Sequence, residues 1–201
     1  MPRCLDIRLQ LVLEPHADHE KLISEAVRGG VTCVQWRDKF LSDLDFYQKA
    51  LELQAICERN QVDLIINDRI DIALAIGAKA VHLGQSDIPF EVARSLLPHS
   101  VSIGLSAASM EDVRRAEKLE LDYLAISPVF ATPTKDDTGE PFGIEGLRKA
   151  REISRHKLVA IGGINTSNFR EMRASGADGL AIVSAICRAR SPYEAAKSFE
   201  L

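Results

Sequence analysis

Apolar residues along this chain fall into two alternating patterns. Short runs of Leu, Ile, Val and Ala are followed by longer stretches in which apolar positions recur every three or four residues. The first pattern predicts buried strands and the second amphipathic helices. A strand is predicted over 5–13, where Ile7, Leu9, Leu11 and Leu13 alternate with other residues until Glu14-Pro15. Asp18 then caps a helix over 19–28, closed by Gly29-Gly30. The second strand, 31–37, places Cys33, Gln35 and Arg37 on one face and Thr32, Val34 and Trp36 on the other. Ser42 caps a long helix to 58, and a third strand over 62–66 stops at Asn67-Asp68.

A short helix follows, with Ile70, Ala73, Leu74 and Ile76 on one face and Gly77 at its C-terminal end. The fourth strand, 79–83, breaks at Gly84-Gln85-Ser86-Asp87. Next come a helix over 89–97 with Pro89 in its first turn, a strand over 101–105 broken at Ser106, and a helix to 119 capped by Ser109 with Asp112 three residues on. Strands over 123–126, 158–161 and 179–183 complete the set. Helices over 144–154, 166–175 and from about Ser184 fill the spaces between and after them.

Strand and helix alternate eight times at a period of about 25 residues. This predicts a compact α/β fold, a (β/α)8 TIM barrel, with residues 1–201 as one domain. A doubly wound open sheet is the alternative. It usually has fewer repeats and would want a GxGxxG turn after the first strand, which this sequence lacks.

Composition narrows the function classes. Nearly half of the 201 residues are hydrophobic, enough for one sizeable core. A net charge of −4 with Lys and Glu interspersed offers no basic track for a phosphate backbone, so nucleic acid is not expected as a partner. No run reaches membrane-spanning length and the first residues lack an apolar signal core, so a cytoplasmic protein with no membrane partner is expected. Cys4, Cys33, Cys57 and Cys187 have no metal-binding or redox spacing and read as small buried hydrophobes.

In such a barrel the C-terminal ends of all strands meet at one face, where ligands bind. That face gathers Gln35, Arg37, Lys39, Asn67, Asp68, His82, Gln85, Asp87, Ser106, the 132–135 loop, Gly163 and Ser184. Positive charges beside two carboxylates suit a polyphosphate whose charge is met partly by Lys and Arg and partly by Mg2+. Asp68 taken singly reads as a helix cap and Asp87 as a turn residue; their equivalent places on adjacent strands make them a metal-ligand pair. Gly162-Gly163 and Ser184 match the phosphate cradle of many barrels. His82 reads as a core histidine, and Ser106 as a hydrogen-bonding group, having no nucleophile's partners. The segment 131–142, polar and rich in Pro and Gly, predicts a lid that closes over ligand.

Six segments together resemble thiamine-phosphate synthase: VQWRDK at 34–39, INDR at 66–69, VHLGQSD at 81–87, SPVFATPTK at 127–135, AIGGI at 160–164 and VSAI at 183–186. That family joins 4-amino-2-methyl-5-hydroxymethylpyrimidine diphosphate to thiazole phosphate, giving thiamine phosphate and pyrophosphate. The resemblance implies that Gln35, Arg37, Lys39, Asn67, Ser106 and Lys135 hold the pyrimidine diphosphate, within a binding segment that includes Trp36 and Asp38. It implies Mg2+ on Asp68 and Asp87, and the thiazole phosphate on Thr132, Pro133, Thr134, Gly163, Val183 and Ser184. Arg37, Lys39 and Lys135 would be the catalytic cations, and a homodimer is implied as well. Departures from the pattern are Glu14-Pro15 for Thr-Asp, Trp36 for Leu, Ser127 for Gly and Ala107-Ala108 for a segment that often holds His. A thiazole tautomerase of the same family and a non-catalytic phosphate-binding barrel are the alternative functions. The tautomerase uses a histidine near the end of the sixth strand, where this chain has Pro128.

Overall fold

The computed structural model describes residues 5–16, 18–131 and 140–199. Eight parallel strands close into a barrel, each paired with its sequence neighbours and the eighth with the first. They are β1 Leu9–Val12, β2 Cys33–Trp36, β3 Asp63–Asn67, β4 Ala80–Leu83, β5 Ser102–Ala107, β6 Tyr123–Ile126, β7 Leu158–Ile161 and β8 Gly179–Ile182. The helices are α1 His19–Arg28, α2 Asp43–Arg59, α3 Ile70–Ile76, α4 Phe90–Leu96, α5 Met110–Ala116, α6 Gly143–Ile153, α7 Phe169–Ala174, α8 Ser184–Cys187 and α9 Pro192–Lys197. This is the (β/α)8 barrel that the alternation predicts, and closure by β1 and β8 excludes the open sheet. No helix among the described residues is long and apolar enough to cross a membrane.

The two-residue period of each strand divides the core in two. Leu11, Val34, Trp36, Leu64, Ile66, Val81, Leu83, Leu124 and Leu158 point outward and pack beneath the helices. Cys33, Ile65, Ala80, Tyr123, Ala125, Val159 and Ala181 fill the barrel interior. Leu5 and Ile7 join the interior cluster although they precede β1. The predicted strand over 5–13 is therefore shorter than expected: its first residues plug the N-terminal mouth, with the carbonyls of Asp6 and Arg8 held by Thr32 Oγ1 and Leu180 N.

Caps fall where side-chain chemistry places them. Asp18, Ser42 and Ser109 accept the N–H of Lys21, Asp45 and Asp112. The Asp112 carboxylate accepts from Ala108 N rather than from Ser109 N, so the reciprocal half of the capping box is shifted by one residue. Gly77 ends α3 in the left-handed conformation at φ 67°. Leu74 is half exposed rather than part of the buried face, because this short helix turns Ile72, Ala73 and Ile76 inward instead. β5 runs through Ser106 to Ala107, past the predicted break. α5 and α7 are shorter than predicted at one or both ends. Cys33, Cys57 and Cys187 are all buried; burial pushes the first two thiols up to about 12 and the third to about 11.

Candidate active site

A cavity of about 950 Å³ opens at the C-terminal ends of the strands. Its floor is the uppermost interior layer of the barrel, with Gln10, Gln35, Ala125 and Ala181 among its residues. Its rim carries Arg37, Lys39, Asp68, Asp87, Gly163, Val183 and Ser184. Asn67, His82, Gln85 and Ser106 also line it, so these strand-end positions do converge. Thr132, Pro133, Thr134 and Lys135, and most of the 131–142 lid, lie outside the described residues.

The two carboxylates meet beside the cations. Asp68 leaves β3 at φ 64°, a left-handed conformation that Asp tolerates better than most residues. Its side chain does not cap α3, whose first position has no side-chain cap bond. It turns instead toward Asp87, with Lys39 Nζ 4.0 Å from Asp68 Oδ2. Burial, then hydrogen bonding and repulsion from Asp87, push the Asp68 carboxyl up to about 7 against the opposing pull of Lys39 and Arg37. Asp87 is pinned from its own turn: one of its oxygens accepts the Gly84 N–H at 2.6 Å. Gln85 braces the same turn, donating to Ser106 O at 2.5 Å and accepting from Arg115 at 3.2 Å.

On the opposite rim, Gly162 and Gly163 sit at φ 103° and 66°. A Cβ on Gly163 would come within 2.7 Å of Phe130 Cβ, and one on Gly162 within 2.7 Å of Pro128 Cβ. Both positions thus require glycine, for conformation and for space. Asn168 Nδ2 holds the Gly163 carbonyl at 3.0 Å. α8 begins beside this turn at Ser184 and is a single turn long, so what it could offer an anion is backbone N–H groups of that turn more than a macrodipole.

Two residues of the expected binding segment have other employment. Trp36 is buried on the outer face of β2, its ring 5.8 Å from His19 and 5.5 Å from Phe46 between centroids. It does not line the cavity, because the period of two that turns Gln35 inward turns Trp36 toward the helices. Asp38 is at the rim, but its carboxylate accepts the N–H groups of Phe40 and Leu41 at 2.8 and 3.0 Å and shapes the loop that presents Lys39.

A sequence profile described as thiamine monophosphate synthase matches residues 9–186. The chain belongs to the thiamine monophosphate synthase family. It is 54% identical over 175 residues to a thiamine-phosphate synthase of Albidiferax ferrireducens, covering 87% of this chain and 80% of the relative. Against a thiamine-phosphate synthase of Vibrio campbellii it is 44% identical over 193 residues, covering 94% and 95% of the two chains. The solved thiamine phosphate pyrophosphorylase of Pyrococcus furiosus superposes with a TM-score of 0.87 at 34% identity, covering 96% of this chain and 93% of that one. The chain is accordingly an enzyme of this family, and the barrel is the family's fold.

Sequence reasoning missed Gln10, Glu14, Phe40 and Arg188, all of which line the cavity. Gln10 carried a signal, since a glutamine amid the apolar positions of the first strand is either an outward residue or an interior polar group. Glu14 and Arg188 are 174 positions apart and nothing local links them.

Proposed function

We propose that this chain condenses 4-amino-2-methyl-5-hydroxymethylpyrimidine diphosphate with thiazole phosphate to give thiamine phosphate and pyrophosphate. The observation that carries this reading is the pairing of Asp68 and Asp87 beside Arg37 and Lys39 on one rim, facing the Gly162-Gly163 turn and α8 on the other. One rim suits a diphosphate and the other a monophosphate. The floor between them, where Ala125 and Ala181 lie beside the amides of Gln10 and Gln35, suits a flat heterocycle with polar edges.

The donor set fits Mg2+. Two carboxylates supply oxygen ligands only, and no group of three or more His, Cys, Asp or Glu able to hold a metal occurs among the described residues. A cation that keeps its waters and takes phosphate oxygens from substrate needs no more than this. When bound, Mg2+ supplies positive charge to the diphosphate. Asp68 and Asp87 would hold it. Arg37 and Lys39, with Lys135 by the family pattern, bind diphosphate oxygens and stabilise the charge that grows as the C–O bond to the pyrimidine methylene breaks. The methylene cation is captured by the thiazole nitrogen, and no base is required at carbon. Gln35, Asn67 and Ser106 orient the pyrimidine. Gly163, Val183 and Ser184, with Thr132 to Thr134, place the thiazole phosphate so that its nitrogen stands over the methylene. The cavity must also keep water away from the cation.

The tautomerase reading needs neither a diphosphate nor a metal and leaves the paired carboxylates without a use. A non-catalytic barrel would not need them either. Purified protein supplied with both substrates and Mg2+ tests the proposal: formation of thiamine phosphate and pyrophosphate in equal amounts supports it, and no product from both substrates sinks it. A cytoplasmic, single-domain homodimer completes the reading, and light scattering of the purified chain tests the dimer.

A further inference from the structure

Along the cavity floor, with Tyr123 just beneath it, a line of polar side chains crosses an otherwise apolar barrel. Gln35 Nε2 donates to Gln10 Oε1 at 3.3 Å. Gln10 in turn is a hydrogen-bond partner of the Tyr123 phenol. The Tyr123 hydroxyl lies 2.9 Å from His82 Nδ1, and His82 Nε2 lies 2.8 Å from Ser106 Oγ. Gln10, Gln35, His82 and Tyr123 are buried, while Ser106 is partly open and lines the cavity. The Tyr123 ring stacks on His82 with centroids 5.5 Å apart and planes 19° apart. Gly104 makes room for it: a Cβ there would fall 2.1 Å from the ring.

Each link has one direction. Gln10 Oε1 accepts from Gln35, which leaves its Nε2 to donate, to Cys33 Sγ at 3.9 Å and to the phenol. Burial holds the phenol far above its ordinary range, with Gln10 pulling weakly the other way by donating to its oxygen, so Tyr123 keeps its proton. An oxygen that accepts from Gln10 gives its own O–H to His82 Nδ1. His82 is then protonated on Nε2 and donates to Ser106 Oγ. The Ser106 hydroxyl proton is left to point into the cavity.

We infer that Tyr123 is a positioning residue which, through the tautomer of His82, makes Ser106 a hydrogen-bond donor to a ring nitrogen of the bound pyrimidine. The inference rests on the synthase reading for the identity of that ligand. Ser106 is paired in register with Ala125, a floor residue, and the charged groups stand at the rim. The acceptor at that depth belongs to the heterocycle and not to the diphosphate.

Nitrogen-15 NMR of His82 in the wild-type protein should show the neutral Nε2-protonated tautomer, and in Tyr123→Phe a shift toward the Nδ1-protonated form. Tyr123→Phe should raise KM for the pyrimidine diphosphate about tenfold, as loss of one neutral hydrogen bond does. KM for thiazole phosphate and inhibition by inorganic pyrophosphate should stay within about twofold. Ser106→Ala should show the same split, and the double variant should be no worse than Ser106→Ala alone. An Nδ1-protonated histidine in the wild type, multiplying losses in the double variant, or a parallel loss of pyrophosphate affinity would each overturn the inference. Should Tyr123→Phe not fold, the wild-type tautomer and the Ser106→Ala split still decide it. Should the wild type make no thiamine phosphate, the synthase reading fails while the tautomer measurement still stands.

Discussion

The Arg188 guanidinium grips both carboxylate oxygens of Glu14, with Nε and Nη2 each 2.8 Å from an oxygen. This bidentate pair ties the segment after β1 to the residue that follows α8, across the seam where the barrel closes. Both residues line the cavity. Glu14→Gln and Arg188→Ala are therefore expected to loosen the α8 side of the site, raising KM for thiazole phosphate several-fold with little change in KM for the pyrimidine diphosphate. Steady-state kinetics with each substrate varied in turn checks this. Equal effects on both substrates would place the pair elsewhere in the mechanism.

Asp68→Asn and Asp87→Asn should each lower turnover by at least about a hundredfold at low Mg2+, the scale of losing one preorganised electrostatic contact to a leaving group. Added Mg2+ should restore part of the loss. Full activity of both variants in chelator would remove the metal from these residues.

Stability and function pull in opposite directions at Asp68. Its carboxyl titrates near 3.8 when unfolded and near 7 when folded. Between those values the folded chain holds a proton that the unfolded chain has released. The stability contributed by that proton is present below about pH 4 and is lost as pH rises through about 7. Asp68→Asn removes this loss, and Asn suits the left-handed backbone at φ 64° at least as well as Asp. In chelator the variant should be more stable than wild type at pH 8, by an order of 1–3 kcal/mol, with the gap closing toward pH 4. Thermal unfolding at the two pH values measures it.

Gly163→Ala should cost about 1–3 kcal/mol, since its φ of 66° is unfavourable for Ala and its Cβ would press on Phe130 Cβ at 2.7 Å. Any folded fraction should bind thiazole phosphate poorly because the turn has shifted. A variant with wild-type melting temperature and KM would show that the turn can relax.

Lys135→Ala should weaken pyrophosphate inhibition by about tenfold to a hundredfold, as one charge-assisted hydrogen bond is lost. Binding of pyrophosphate with Mg2+, measured by calorimetry on the variant, checks it.

The strands were legible because each is a short apolar run bounded by Gly, Pro or a polar tip, and β6 and β7 begin and end where the pattern predicts. Parallel pairing forces their C-terminal ends to one face, so the convergence of Arg37, Asp68, Asp87 and Gly163 could be read from order alone. Side-chain orientation was legible where the strand period governs it, and that period already set Trp36 opposite Arg37 even though the shared motif grouped them. Commitments made by backbone turns were not legible. In sequence Asp38 belongs to the expected binding segment, and only the conformation of 38–41 shows its carboxylate spent on two N–H groups. The apolar character of Leu5 and Ile7 likewise could not distinguish a strand from a plug.

Trp36 is the sole tryptophan of the chain. It stands back to back with Gln35 and one residue before Arg37, shielded from solvent and wedged against His19 and Phe46. Strain or relief in β2 when a diphosphate engages Arg37 must reach the indole through a single peptide unit. Emission excited at the indole band, free of competing signal from any other tryptophan, is therefore expected to change when pyrophosphate with Mg2+ fills that rim, and a spectrum unchanged at saturation would show that β2 does not carry the event.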